Sequence, residues 1–384
     1  MLCEKDKCTG CFACFNICPK NAITMEKDDY GNVYPSINEE KCIKCGLCSK
    51  VCPSLKEKLA FNKSKNAYAM HLKDEQKRSE STSGGAASIL YKEIIKSGGV
   101  GYGVTNIDSN TPFSYIRIDK EDEIIKLKGT KYVHSYVNDS FKNIKKDLEN
   151  KKDVLFIGTP CQVSGLKSFL LKEYDNLYTV DIICHGVPSQ KLLFDELDNL
   201  KLDISKIKKI SFRDEKIFNF KVIDKNNKII FEKKSDKVEY YRNFLRGNTY
   251  RENCYNCRYA QNDRISDITI GDYWGLSKDS KVFDSKEKGI SLIITNTEKG
   301  EKLINKIKEE STIEKRTLEE ARKHNAQLNG PSKKTKQYEI YKKYYPKLGY
   351  KKTIKKMITP KDRITRIVDN NKVLNTIYKK VKKK

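Results

Sequence analysis

The stretch Cys8-Thr9-Gly10-Cys11-Phe12-Ala13-Cys14-Phe15-Asn16-Ile17-Cys18-Pro19 decides how the N-terminal part of the chain is read. The same skeleton returns as Cys42, Cys45, Cys48, Cys52 and Pro53, each member 34 positions further on. A C-x2-C-x2-C-x3-C-P run is the bacterial ferredoxin ligand pattern: three close thiolates hold one 4Fe-4S cubane and the fourth reaches across to the other. That spacing assigns Cys8, Cys11, Cys14 and Cys52 to cluster I, and Cys42, Cys45, Cys48 and Cys18 to cluster II. Structural zinc is the plain alternative, but zinc knuckles are paired across a longer stretch, and successive short spacings do not suit a tetrahedron. Between the repeats, Ile23-Thr24-Met25 and Val33-Tyr34-Pro35 flank Asp28-Asp29-Tyr30-Gly31-Asn32, which predicts a hairpin turning at the glycine. Residues 1–55 are read as one two-cluster ferredoxin domain, and the Lys-rich run from Leu55 to Asn66 as its linker.

The rest of the composition narrows the class. Of 384 residues, 38% are hydrophobic, 33% charged and 10% aromatic, which is too apolar for disorder. No apolar run reaches the roughly 18 residues of a membrane span. Met1-Leu2-Cys3-Glu4-Lys5 offers no signal-peptide stretch, and thirteen cysteines in a chain that is not exported point to metal or redox chemistry in the cytoplasm. The net charge of +26 raises nucleic acid as a partner, but residues 331–384 hold 19 basic and 3 acidic residues, leaving +10 for the body. Nucleic acid is therefore set aside. Tyr, Ile, Leu and Val interleave with the lysines of 331–384, which reads as a basic amphipathic tail suited to peripheral contact with an anionic membrane surface.

From Ala67 the pattern changes to β-rich runs alternating with helices, so the fold expected is α/β (α+β): the ferredoxin module, then a larger mixed α/β domain over 67–330. Helices are predicted over Ala86–Ile95, Phe141–Leu148, Val163–Leu171, Gln190–Leu200, Tyr240–Leu245, Lys302–Ile307 and Leu318–His324. Strands are predicted over Val100–Ile107, Phe113–Ile118, Ile124–Leu127, Val154–Gly158, Tyr178–Ile183, Ile268–Ile270 and Ser291–Ile294, with short strands across Ile207–Phe231.

Five cysteines lie outside the repeat. Cys161 follows the strand ending at Gly158 and Cys184 ends the strand Val180–Ile183; as parallel neighbours, these strands would deliver both thiols to one carboxyl edge, where open α/β sheets bind ligands. Cys254-Tyr255-Asn256-Cys257 would supply two further corners of a third four-thiolate site, leaving Cys3 as an ordinary thiol. A third 4Fe-4S cluster, a zinc knuckle and unrelated buried thiols all stay open on these residues. Clusters move single electrons whereas most organic substrates exchange two, so a flavin pocket is expected beside them. Candidates are the helix-opening loop with Ser83, Gly84 and Gly85, whose N–H groups can approach a phosphate, then Gly129, Thr130, Lys131 and Tyr132, with Thr159, Gln162 and Trp274. No catalytic residue is assigned; His185 beside Cys184 could donate a proton, though a strand-end histidine is usually only hydrogen-bonded.

Gly129-Thr130-Lys131-Tyr132-Val133, Gly158-Thr159-Pro160-Cys161-Gln162, Cys184-His185-Gly186-Val187-Pro188-Ser189, Ser211-Phe212-Arg213, Cys254-x-x-Cys257 and Asp267-Ile268-Thr269-Ile270-Gly271-Asp272-Tyr273-Trp274-Gly275 together resemble the coenzyme F420 hydrogenase/dehydrogenase beta-subunit family. The likeness spans about residues 67–300, with the ferredoxin module in front. It implies FAD and a 4Fe-4S cluster on Cys161, Cys184, Cys254 and Cys257, with the phosphate-loop and Gly129 motifs as FAD contacts. It also implies electron passage between a low-potential carrier, ferredoxin or a reduced deazaflavin, and an organic substrate, with relatives in polysaccharide biosynthesis. The alternative it carries is a non-catalytic electron-transfer subunit serving a partner enzyme. The basic tail departs from the family.

Overall fold

The computed structural model describes residues 2–107, 111–213, 218–283 and 288–370; the last lysines of the tail, 371–384, lie outside the described residues. Strands run, in chain order, β1 Ile23–Lys27, β2 Val33–Ile37, β3 Asn66–Leu72, β4 Val100–Val104, β5 Tyr115–Ile118, β6 Val154–Gly158, β7 Leu177–Ile182, β8 Ile207–Ser211, β9 Asn219–Asp224, β10 Ile229–Lys234, β11 Ile268–Asp272, β12 Ser291–Thr295 and β13 Ser311–Arg316. Eight of them form one mixed sheet in the order β13-β3-β12-β11-β7-β6-β4-β5. Its middle, β4-β6-β7-β11, is parallel, and the flanking pairs are antiparallel.

Parallel strands buried on both faces need continuous apolar runs, and β6 supplies one. Val154 and Phe156 face one core while Leu155 and Ile157 face the other, all four buried. On the second face lie Ile89, Leu90 and Ile94 of the helix Ala86–Lys96 and Leu303 and Ile304 of the helix Glu298–Lys306. On the first lie Phe141 of the helix Ser140–Glu149 and Leu166 and Phe169 of the helix Pro160–Leu170.

That first core also contains Phe12, Ala13, Val33 and Val51 of the ferredoxin module. Burial of each of the larger side chains contributes roughly 1.5–3 kcal/mol, so the module's own core and its docking on the sheet are one hydrophobic event. Its hairpin forms as expected, with Ile23 opposite Ile37 and Lys27 opposite Val33, and Gly31 turning at a φ of 78°. The linker is pinned rather than free: Asn62 exchanges both backbone hydrogen bonds with Arg264, and the Arg258 guanidinium donates to the carbonyls of Lys56 and Glu57. Residues Met1–Lys333 accordingly form one compact unit.

Several elements differ from expectation. Ile124–Leu127 is the end of a 3-10 helix, Glu121–Leu127, not a strand; three acidic residues open that helix and only Ile124 is buried, so no apolar face was available for a sheet. The late helix begins at Glu298 because Thr297 caps it, its side chain accepting from Gly300 N. Strands β3 and β13 carry no strand signal of their own: Asn66-Ala67-Tyr68-Ala69-Met70-His71-Leu72 has few β-branched residues and takes its form from β12 and β13 on either side. The second unit, Lys334–Lys384, contains the helices Lys336–Met357 and Pro360–Asn370, the first kinked at Gly349, whose φ is 67°. Among the described residues no helix is long and apolar enough to cross a membrane.

One contact holds the module to the sheet at close quarters. A Cβ on Gly165, in the middle of Pro160–Leu170, would stand 2.9 Å from the Cβ of Cys11 and 3.0 Å from its Sγ. Alanine is favoured over glycine in a helix by up to about 1 kcal/mol, yet here Gly165→Ala is expected to destabilise the chain by about 1–3 kcal/mol through overpacking. Thermal unfolding under anaerobic conditions checks this, and a raised Tm would contradict the tight docking.

Candidate electron-transfer site

The two cysteine repeats fold so that ligands are exchanged between them. Cys18 from the first repeat lines one cavity with Cys42, Cys45 and Cys48 of the second, and Cys52 lines another with Cys8, Cys11 and Cys14. The first cavity opens to solvent, with Cys45 exposed and Ile43 57% exposed, whereas the second is walled by buried thiols. Cys3, an ordinary thiol by spacing alone, lies in that second wall. It hydrogen-bonds to Cys52 and Cys8, and chiefly through that bond Cys8 is pulled down to about 6 and Cys52 to about 7. Burial pushes Cys11 the other way, up to about 12. No spacing rule reaches Cys3, so only the fold reveals its place.

The third set assembles at the sheet's carboxyl edge. Gly158 of β6 stands opposite Asp181 of β7 in a parallel pairing, so both strands deliver their following residues to the same edge. Cys161 sits in the first turn of Pro160–Leu170, where Thr159 and Gln162 form a capping box, and Cys184 follows β7. Cys254 and Cys257 come from the 3-10 turn Glu252–Asn256 and the residue after it; Arg251 N donates to Val187 O and ties that turn to the Cys184 loop. All four thiols line one cavity. Burial pushes Cys161 and Cys184 up to about 12 and raises Cys254 and Cys257 as well. Thiols this buried release their protons only to a cationic partner that replaces them. Among the described residues no three Cys, His, Asp or Glu side chains are arranged around a single metal ion; the thiols surround a space.

A larger cavity of about 330 Å³ adjoins the third set, within the range of small-molecule and cofactor sites. Ser83, Gly85, Gly129, Thr130, Lys131, Tyr132, Thr159, Gln162 and Trp274 all line it. Gly84 does not: a Cβ there would stand 2.1 Å from the carbonyl oxygen of Met70, so its role is close packing of the loop on β3. Ala86, Ala87 and Ser88 bring the positive end of an eleven-residue helix to the cavity wall. The buried hydroxyls of Ser83 and Thr130 have no hydrogen-bond partner, as acceptors or donors awaiting a ligand would. Gln162 is already committed: its Oε1 accepts from Tyr115 and Thr159, and its Nε2 donates to Ser135 O. Burial brings Lys131 down to about 7, with Lys209 adding repulsion, while its Nζ donates to Leu127 O and Lys128 O. Trp274, itself 37% exposed, stacks on Phe218 at 6.1 Å. Ile157, Ile182, Ile270 and Phe244 give the cavity apolar sides, of which only Ile270 belongs to a sequence motif.

These four cavities lie in series. Leu2 lines both N-terminal cavities, Thr9 lines the second and the third, and Thr159, Cys184 and His185 line the third and the large one. The wall of the third is held by an ion pair: Arg264 Nη2 meets Asp181 Oδ1 at 2.8 Å, with both side chains almost wholly buried. Removing one partner of such a pair leaves a buried charge uncompensated. Arg264→Met is expected to cost about 3–5 kcal/mol of stability, measured by chemical denaturation; a cost below about 1 kcal/mol would place the pair at a solvated surface instead.

Three family models match parts of the chain. The family model for the C terminus of the coenzyme F420 hydrogenase/dehydrogenase beta subunit matches residues 151–321, and two models of a 4Fe-4S dicluster domain match residues 7–55 and 34–88. No curated protein matches the chain. A chain from the F420-reducing nickel–iron hydrogenase complex of Methanosarcina barkeri aligns with 17% identity and a TM-score of 0.47, covering 83% of this chain and 96% of that one. The chain thus carries a stretch that matches the C terminus of the coenzyme F420 hydrogenase/dehydrogenase beta subunit behind a stretch that matches a 4Fe-4S dicluster domain.

Proposed function

We propose that the chain is an iron–sulfur flavoprotein oxidoreductase that carries electrons between a low-potential carrier, ferredoxin or a reduced deazaflavin, and an organic substrate. The observation that supports this most is the serial arrangement of three thiol-lined cavities ending at a large, mostly apolar one. Four-iron clusters supply one-electron steps, and FAD supplies the exchange with two-electron chemistry.

The chain's own residues divide the work. Cys18, Cys42, Cys45 and Cys48 hold the group nearest solvent, and Cys8, Cys11, Cys14 and Cys52 the next, within buried walls. Cys161, Cys184, Cys254 and Cys257 hold the third, with Arg264 and Asp181 fixing the strand end that presents Cys184. Ser83, Thr130 and the N–H groups opening Ala86–Lys96 would hold the phosphates of a dinucleotide. Ile157, Ile182 and Ile270 would exclude water from one side of the cofactor, which would strengthen electrostatic contacts made there.

Purified without oxygen, the chain is expected to carry about twelve irons, matched by acid-labile sulfide, since each cubane holds four, together with one flavin. Cys184→Ala is expected to lower iron to about eight per chain while leaving the dicluster signals in place. Gly85, held at a φ of 94° against the Leu72 side chain, is where Gly85→Val should lose flavin but keep iron. Zinc in the third site, or eight irons without flavin in the natural chain, would remove the enzyme reading and leave a ferredoxin.

The family description names a beta subunit, which favours a second reading as a relay serving a partner enzyme. Reoxidation of the reduced flavin by small organic acceptors separates the two: a relay reoxidises only when a partner protein is added.

A further inference from the structure

Arg251 is 1% exposed, the largest of the fully buried side chains. Its Nε donates to Cys8 O at 2.9 Å and its Nη2 to Val33 O at 2.9 Å, and its guanidinium lies 4.2 Å from the centroid of the Tyr34 ring. Those contacts belong to the ferredoxin module. The same residue precedes the Cys254–Cys257 turn and lines the third thiol cavity, so one side chain reaches both thiol sets. Its Nη1 is buried with no hydrogen-bond partner, and among the described residues no carboxylate pairs with it. His134 Nε2 and Asn253 Oδ1, in the same cavity wall, are also buried and unpartnered.

A guanidinium keeps its proton in any protein environment, so this charge cannot be relieved by neutralisation. Burying it unpaired costs several kcal/mol, which chains meet by placing an anion within reach. Two carbonyls and a tyrosine ring offset part of that cost and leave a full positive charge between two sets of four cysteines. Ligated thiolates around an iron–sulfur core carry net negative charge, and hydrogen bonds and nearby charges at such sulfurs raise the reduction potential. Gly10, between Cys8 and Cys11, has its φ at 63° and would bring a Cβ to 2.8 Å from His134 and 3.3 Å from the guanidinium carbon. A side chain at position 10 would therefore collide with His134 and crowd this cation.

We propose that Arg251 is a shared fixed countercharge, placed between cluster I and the third cluster to raise the potential of both while leaving cluster II untouched. This rests on the cluster reading of the preceding subsection. Arg251 acts through its charge and its hydrogen bond to the Cys8 carbonyl, as a positioning residue for electrons rather than a ligand. An added electron on either cluster is stabilised, so the two clusters form a matched pair between the solvent-side cluster II and the large cavity.

The test is a redox titration of the full chain, purified and kept anaerobic, followed by EPR and visible absorption. In Arg251→Gln the iron content is expected to stay near twelve per chain. The equilibrium constant for one-electron reduction of cluster I and of the third cluster should fall at least tenfold, which is 59 mV for a one-electron couple. Cluster II should keep its potential, and Arg251→Lys should restore most of the shift. If the glutamine chain fails to load iron, Asn253→Asp places a carboxylate in the wall of the third cavity that Arg251 also lines, and the reduction constant of the third cluster alone should fall at least tenfold. Unchanged potentials, or an equal shift in all three clusters, would overturn the proposal and leave Arg251 a packing residue. A natural chain lacking three cluster signals would instead overturn the cluster reading itself.

Discussion

A buried thiol is a poor acid, and a thiolate beside it makes it a worse one unless a neighbouring thiol donates to its sulfur, as Cys3 does to Cys8 and Cys52; the architecture of this protein turns on that constraint. Cys11, Cys161 and Cys184 are held at about 12 by burial, far above the pH of any cell. Such groups gain nothing from one another as neutral thiols and repel as thiolates. A cationic core resolves both problems, since it displaces the protons and returns coordination energy to the fold. The proposed clusters would meet this constraint for each set of sulfurs.

The same constraint explains why the ferredoxin module is not a detachable bead. Phe12, Ala13, Val33 and Val51 complete a core whose other half is β6 and its covering helices, and Gly165 lets the Cys11 loop come within van der Waals distance of one of them. A module swinging on a loose linker would separate its thiols from those at the sheet edge. Here Arg251 N bonds to Val187 O while its side chain bonds to Cys8 O, so the third thiol set and the first share an anchor. Short, fixed separations between the thiol sets follow from hydrophobic packing.

What could be read beforehand, and what could not, follows from range. The cysteine spacings are local and chemically strict, so each fourfold N-terminal set was legible from its numbers alone, including the exchange of Cys18 and Cys52. β6 and β7 announced themselves as apolar runs, and their parallel pairing placed Cys161 and Cys184 together. β3 was silent because its alanines owe their extended form to neighbours far away in the chain, and Ile124–Leu127 looked apolar enough for a strand until its acidic start made it a turn. The large cavity's motif residues were legible, but not the hydrogen bonds that already occupy Gln162, nor the apolar walls contributed by four separate segments. Cys3 and Arg251 carry no motif, and their positions emerge only when the module meets the sheet.

The most direct test of the central claim is where iron resides in a crystal grown without oxygen. Anomalous diffraction recorded on either side of the iron absorption edge should show density in three places: beside Cys42, beside Cys11, and between Cys161 and Cys257. Peaks at the first two alone, or a third peak that appears at the zinc edge and not at the iron edge, would contradict a continuous path of iron–sulfur sites to the large cavity.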